Sequence, residues 1–348
     1  MVIDHRQPRL YSPLTHRSDL RRPALALLLG ALVASTALPA LAQDAMHTLV
    51  VAGPQTPESL DQEYPPTPAV MEVRRNINEP LLRFAPQVGK DGITYENFDK
   101  IIGGLADKWE VSPDMKSITF HLRKGVKSGA GNTLTVDDVM WTFQRGWALK
   151  ANFYWYMSQV LNISSFDDAF KKIDDDTVQV NVPYSSPLLE KIWTNIGLGI
   201  LDAQEIKKHV TTDDPWGSKW LASHSASYGP YTVTSYVPDQ EVDFQSNPDY
   251  YLGAPKLTKV IFKEIPTSSN RAAALEAGAV DVAEFLTPRE LSVVGKDPGI
   301  KVWEVYGNYI HRIEMNMTMP PFDKLDVRQA LNYLTPRDDI LKAVYFGT

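Results

Sequence analysis

Polar and apolar side chains alternate along several short segments of the chain, and this alternation is typical of strands that bury one face. It predicts strands at Ser117–Leu122, at Val178–Val182, over 231–236 and over 260–265. A continuous apolar run at Thr48–Ala52 predicts one more strand.

Apolar positions at helical spacing lie between and after these strands. They predict helices over the segments 136–149, 186–196, 269–277 and 325–345. The first helix begins with a capping-box pattern, Thr135 followed three residues later by Asp138. The last is broken where Thr335 and Pro336 form a second start signal. Strands and helices together predict an α/β or α+β chain with mixed sheets.

Three glycines, Gly125, Gly129 and Gly131, precede the capped helix, so a phosphate-binding loop has to be considered. The loop of P-loop NTPases needs four residues between its glycines and then Gly-Lys-Ser or Gly-Lys-Thr, and a dinucleotide loop needs a third glycine. Asn132 stands where the P-loop requires its lysine, and Leu134 stands where the dinucleotide loop requires its third glycine. The segment is therefore predicted to be a strand, a glycine turn and a capped helix.

The beginning of the chain has the organisation of an export signal. Arg21 and Arg22 precede an apolar run at Ala24–Leu38, which is short for a membrane span, and the small-x-small pattern Ala40–Ala42 follows. Cleavage after this pattern would leave Gln43 as the first residue. The arginine pair keeps the twin-arginine route open beside the general secretory route.

The chain contains no cysteine, and it has 35 basic against 42 acidic residues. Without cysteine it has no disulfide, no thiolate ligand or nucleophile, and no residue that could carry a lipoprotein anchor. An acidic surface repels nucleic acid and anionic lipid, and the sequence shows no nucleic-acid-binding motif. We therefore expect a free periplasmic protein that does not bind nucleic acid.

Motifs of enzymes and of metal sites are missing from the sequence. Neither H-E-x-x-H nor G-x-S-x-G occurs. The aspartate run at 174–176 lacks the glycine and the distal glutamate of a calcium loop. No catalytic residue, metal or cofactor is therefore assigned. A glycosidase-type pair of carboxylates stays open, because its two acids need no fixed spacing along the chain.

Four aromatic residues stand in a row at 153–156, and Tyr228 and Tyr231 flank a Gly-Pro pair. Successive side chains diverge in both helices and strands, so four adjacent rings cannot all enter one core face. At least one or two of them are expected to face a cleft or solvent, where a ring with a polar tip can stack on a ligand and hydrogen-bond to it. Core packing is the alternative for each single ring.

Several short motifs occur in an order that resembles one known family. They are Gly104–Ser112, Thr119–Val126, Leu134–Val139, Gly229–Tyr231, Asn247–Tyr251, Ala274–Asp281, Pro321–Asp323 and Val327–Asn332. Each motif is weak alone, but together they resemble the family 5 solute-binding proteins, the dipeptide-, oligopeptide- and nickel-binding class that serves ABC importers. The resemblance covers nearly all of residues 48–348.

The resemblance implies a two-lobed, clamshell-like α/β fold with mixed sheets, which closes on its ligand about a hinge near 262–266. Beside the signal peptide at 1–42 that the N-terminal pattern predicts, it implies a large first lobe at 43–266 and the start of a second lobe at 267–348. The family continues for much longer than this sequence, so the second lobe is expected to be truncated here.

The resemblance also implies a role. A monomeric periplasmic receptor of this class captures a peptide or peptide-like small solute and delivers it to an ABC permease and its ATPase at the inner membrane, without making or breaking a bond. A periplasmic hydrolase of glycosidase or peptidase type, and a sensory binder that reports its ligand to a receptor, remain alternatives.

The resemblance places the ligand between the lobes, against three segments of the first lobe. The implied ligand-lining residues are Glu63, Tyr64, Pro66, Met71, Phe153, Tyr154, Trp155, Tyr156, Ser227, Tyr228 and Gly229. Tyr228 stands where the family has a small residue. Its ring is therefore expected to narrow the site or to add a stacking surface.

Overall fold

The computed structural model describes residues 2–4, 48–90, 92–303 and 312–345. The predicted export signal lies outside these residues, except for a short strand at 2–4. The chain divides into two compact units: the larger contains Gln55–Glu264, and the smaller contains Val50–Pro54 and the chain from Ile265 onward. The lobe boundaries expected from the sequence stay a prediction.

Short strands and helices alternate along the described part of the chain. The strands β1 to β13 are Val2–Asp4, Thr48–Gly53, Leu82–Val88, Thr94–Gly103, Ala106–Val111, Ser117–Leu122, Phe170–Lys172, Thr177–Asn181, Tyr231–Val237, Glu241–Ser246, Lys259–Glu264, Val282–Ala283 and Lys301–Trp303. The helices α1 to α10 are Pro68–Ile77, Val136–Leu149, Asn152–Trp155, Phe166–Ala169, Ala203–Ile206, Ser218–Leu221, Ser268–Glu276, Pro288–Val294, Leu325–Leu334 and Arg337–Val344. A π-helical turn at Tyr156–Val160 follows α3 directly.

Most of the elements expected from the side-chain pattern are confirmed, but the helix over 186–196 is wrong. That segment holds only short 3-10 turns, Lys191–Thr194 and Ile196–Leu198. Asn195 between them has an extended backbone, and its side-chain oxygen accepts from the Gly197 N–H at 2.8 Å. An asparagine that bonds the backbone N–H of a glycine two residues later offers the chain an alternative to helix.

A four-stranded antiparallel sheet with strand order β5-β6-β8-β7 supports the larger unit. Ile118, Phe120 and Leu122 of β6 are buried, and the residues between them are only half-buried, as the alternation predicts. Phe120 lies opposite Val178 of β8, which is also buried. One face of the sheet therefore carries the core of this unit.

Helix α2 contributes to the same core through Val139 and Phe143. Its predicted capping box is confirmed: the Asp138 N–H donates to Thr135 Oγ1 at 3.3 Å, and the Thr135 N–H donates to Asp138 Oδ2 at 2.9 Å. Gly131 in the preceding turn has φ 84°, a left-handed conformation that favours glycine. The opening glycines therefore shape a turn that delivers the chain to a capped helix.

Two further antiparallel groups belong to the larger unit. The strands β3 and β4 form a two-stranded ribbon. The strands β9, β10 and β11 pair in that order, with β10 in the middle.

The smaller unit has its own core around a parallel strand pair. Val282 and Ala283 of β12 pair with Val51 and Ala52 of β2, and the Val50 N–H donates to Asp281 Oδ2 at 2.8 Å. Buried side chains from this pair and from the helices α7 and α8 form one cluster. The β1 backbone pairs antiparallel with β13. Within the described ranges, no helix has the length and apolar character needed to cross a membrane.

Candidate ligand-binding site

All eleven ligand-lining positions expected from the sequence lie in the larger unit. The first group lies on the loop before α1, except for Met71 in the helix itself, and this loop is held by a buried arginine of α1. Arg74 Nη2 donates to the backbone oxygens of Asp61 at 3.0 Å and of Tyr64 at 2.6 Å. Thr67 caps α1 by accepting from the Val70 N–H at 3.3 Å. These bonds fix the loop against the first turns of the helix.

A second buried arginine ties the same loop to α2. Arg145 donates through Nη1 to Asp61 Oδ1 at 2.9 Å and through Nη2 to Asp61 Oδ2 at 2.5 Å, and its Nε donates to the Trp216 backbone oxygen at 2.8 Å. A bidentate arginine–carboxylate pair is strong and directional, and its burial makes the loss of either partner costly. The sequence patterns do not predict this pair, although an arginine within the apolar face of a helix is a usable signal.

Glu63 lies beside this pair and is also buried. Its Oε2 accepts from the Phe153 N–H at 2.9 Å, whereas its Oε1 has no hydrogen-bond partner within the described residues. Burial raises the pKa of Glu63 to about 7, although the Phe153 N–H and Arg145 act to lower it. Glu63 thus connects the loop to the first ring of the aromatic segment.

Gly146 of α2 allows this connection by its lack of a side chain. A Cβ at this position would lie 2.4 Å from Phe153 Cβ and 2.9 Å from Glu63 Oε1. The helix backbone, the loop and the aromatic segment therefore meet at a point where only glycine fits.

The four adjacent rings diverge, as their spacing requires. Phe153 is 1% exposed and stacks on Phe143 with ring centroids 5.2 Å apart, so it is a core residue and not a cleft wall. Tyr154 packs edge-on to Trp147, with Lys150 Nζ 4.2 Å from the centroid of the Tyr154 ring.

The other two rings of the segment reach the surface. Trp155 is 55% exposed, and Tyr156 is half-buried with its ring centroid 5.1 Å from that of Trp155. Tyr64 is half-buried as well, and Pro66 is exposed.

The third predicted group, at 227–229, packs against the end of α1. Ser227 Oγ donates to the Ile77 backbone oxygen, and a Cβ on Gly229 would lie 2.2 Å from that same oxygen. Tyr228 is 0% exposed, and its pKa is raised by burial and by the nearby Asp138 and Asp202. Contrary to the expectation, the Tyr228 ring fills the core and offers no stacking surface, because the close approach of Gly229 to α1 directs it inward.

Two of the predicted residues, Met71 and Tyr156, line one cleft of about 380 Å³. Its remaining walls come from the β3–β4 ribbon and from the segment that follows β8. The residues that complete it are Arg75, Phe84, Glu96, Val160, Leu188, Lys191, Ile192, Thr194, Asn195 and Ile196. The sequence pattern does not predict this second wall, because its apolar spacing indicates a helix over 186–196.

The other predicted residues do not line this cleft. In the part of the chain that the structure describes, no group of three or more histidine, aspartate or glutamate side chains is arranged to hold a metal ion.

Comparison with known proteins identifies the family. A model of the bacterial extracellular solute-binding proteins, family 5 Middle, matches residues 100–348. The chain is 28% identical over 257 residues to heme-binding protein A of Haemophilus influenzae, covering 70% of this chain and 46% of that protein. It is 28% identical over 293 residues to the dipeptide-binding protein of Escherichia coli, covering 76% and 54%. The chain thus spans about half the length of the curated relatives it matches.

A solved structure has the same fold. The periplasmic binding protein DppA from Helicobacter pylori, in complex with the peptide STSA, superposes with a TM-score of 0.71 at 22% identity, covering 86% of this chain and 58% of that one. The periplasmic-binding-protein fold expected from the sequence is thereby confirmed. Since the family match covers well over half of the chain, the protein belongs to the family 5 bacterial extracellular solute-binding proteins.

Proposed function

We propose that this chain belongs to the periplasmic substrate-binding component of an ABC importer, which captures a peptide or peptide-like small solute and delivers it to the membrane permease and its ATPase. The observation that carries this proposal is the family match over residues 100–348. Two similar proteins support the ligand class: one is a dipeptide-binding protein, and the other has been solved in complex with a peptide. In this role the protein binds and releases its ligand and catalyses no reaction.

The periplasmic location rests on the predicted signal at 1–42. Export followed by cleavage after Ala42 makes Gln43 the first residue of the mature protein. N-terminal sequencing of the protein from the periplasmic fraction tests this, and a mature chain that retains Arg21 would contradict it.

Within the larger unit, we propose that Met71 and Tyr156 contact the ligand directly. Their cleft has the size of small-molecule sites, and it combines apolar walls with a few polar groups. Glu63 and Phe153 act indirectly in this proposal, because their hydrogen bond fixes the start of the segment that carries Tyr156.

Native mass spectrometry of the gently purified protein tests the proposed function. We expect a small solute that remains bound under native conditions and is released unchanged on denaturation. Calorimetry with that solute should show that Tyr156→Ala weakens binding by about tenfold, the scale of a lost ring contact and hydrogen bond. Tyr184→Ala, which removes an exposed tyrosine that does not line the cleft, is the matched control. Conversion of the solute to a product would favour the hydrolase instead.

A further inference from the structure

Three hydrogen-bond donors of the cleft have no partner among the described residues. Tyr156 Oη, Lys191 Nζ and Asn195 Nδ2 make no hydrogen bond or ion pair with any residue that the structure describes, and all three residues line the cleft. The lysine ammonium and the asparagine amide nitrogen can only donate, and the tyrosine hydroxyl can donate as well. The groups left open for a ligand are therefore mainly donors.

Two side-chain acceptors of the cleft already have partners. Glu96 is paired with Arg75, with 3.4 Å between its Oε1 and Arg75 Nη1. The Asn195 side-chain oxygen accepts from the Gly197 N–H at 2.8 Å. The charges of Glu96 and Arg75 cancel, so Lys191 leaves the lining with one net positive charge.

The rest of the lining is apolar, with Met71, Phe84 and Val160 on one part of the wall and Leu188, Ile192 and Ile196 on the other. Apolar walls favour a ligand body that loses water on binding. Lys191 itself is exposed at the edge of these walls.

We infer that this cleft takes an apolar ligand that carries one anionic group, of which a carboxylate is the simplest, held by Lys191 with Asn195 and Tyr156. This inference rests on the proposed function and names the ligand chemistry of the same site. A charged acceptor matches the open donors and neutralises the excess positive charge. An ammonium group would instead meet Lys191, and the one carboxylate among the described lining residues, Glu96, is already paired with Arg75.

Two charge-swapped probes with the same side chains test the inference. N-acetyl-leucyl-phenylalanine carries one carboxylate, and leucyl-phenylalanine amide carries one ammonium group. Calorimetry should show that the acetylated probe binds at least about tenfold more tightly than the amide, because only its charge is complementary to Lys191.

Single substitutions then locate the anion contact. Lys191→Met should weaken binding of the acetylated probe by about tenfold, and Tyr156→Phe, which keeps the ring and removes the hydroxyl, by about fivefold. Lys256→Met, at an exposed lysine outside the cleft, should leave the affinity unchanged. Added salt should weaken binding to wild type more than to Lys191→Met, a difference that a purely structural effect of the substitution would not produce.

The outcomes separate this inference from the proposed function. Equal affinity for the two probes, no binding of either, or an unchanged affinity in Lys191→Met overturns the anionic assignment. A solute found by native mass spectrometry would in each of those cases leave the binding role standing. A protein that carries and binds no solute would overturn the proposed function, and the inference would fall with it.

Discussion

Glu63 provides a direct test of how the loop and the aromatic segment are held together. Its side chain is buried, and this burial raises its pKa from 4.5 to about 7, against the opposing effects of the Phe153 N–H and Arg145. The unfolded chain releases this proton near pH 4.5, whereas the folded protein keeps it until about pH 7. The stabilisation due to Glu63 is therefore fully present below about pH 4.5, falls as pH rises through this window, and is lost above about pH 7.

The size of this effect follows from the shift. One pKa unit corresponds to about 1.4 kcal/mol, so a change from 4.5 to about 7 corresponds to about 3 kcal/mol of unfolding free energy. Burial also raises the pKa of Glu72 and Glu79, so the pH dependence of the wild-type protein alone does not isolate Glu63. Glu63→Gln isolates it, because the amide keeps an oxygen that can accept from the Phe153 N–H but does not titrate.

Urea denaturation at about pH 4.5 and about pH 8 measures the effect. Between the two conditions, Glu63→Gln should gain about 3 kcal/mol of unfolding free energy relative to wild type. Glu110→Gln, at an exposed glutamate of the same unit, is the matched control and should gain none. A difference between Glu63→Gln and wild type that is the same at both pH values would refute the reasoning, whatever its size.

Three further substitutions test the packing around this point by urea denaturation. Gly146→Ala should destabilise by about 2 kcal/mol, because the added Cβ would lie 2.4 Å from Phe153 Cβ; unchanged stability would mean that the aromatic segment can move away at no cost. Thr135→Ala should cost about 1 kcal/mol through the lost capping box, and a neutral result would show that the cap contributes nothing to α2. Arg145→Met should cost about 3–5 kcal/mol, because it leaves Asp61 buried without its partner, whereas a stable variant would show that water reaches that carboxylate.

Local sequence signals account for much of the fold. The alternation at Ser117–Leu122 and the capping box at Thr135 depend on neighbours within a few residues, and both have their expected structure. The prediction of a helix over 186–196 is wrong, because apolar spacing alone does not exclude a pair of 3-10 turns. The extended Asn195 between those turns could have been anticipated only by weighing its preference for local backbone bonds against the apolar pattern.

Less of the candidate site can be predicted from the sequence, because the burial of a side chain depends on contacts between distant segments. The resemblance places Tyr228 in a segment that lines the ligand, yet the close packing of Gly229 on Ile77 places its ring in the core. Arg145 and Asp61 are 84 residues apart in sequence, and no local pattern joins them. A buried ion pair of this kind becomes visible only when both segments are in place.

In the aromatic segment, local sequence spacing and contacts between distant segments each determine part of the structure. Phe153 and Met157 are four residues apart and both are buried, so helical spacing alone would have assigned them to one core face and directed the rings between them elsewhere. Spacing does not say which of those rings borders a cleft, because that depends on a second wall. The wall beside Tyr156 is formed by the 188–196 segment in its non-helical conformation. The turn at Asn195 engages the side-chain oxygen with Gly197 and leaves the amide nitrogen open beside Lys191. The non-helical conformation of this segment, which the sequence pattern does not predict, therefore supplies donors on which the proposed recognition of an anion depends.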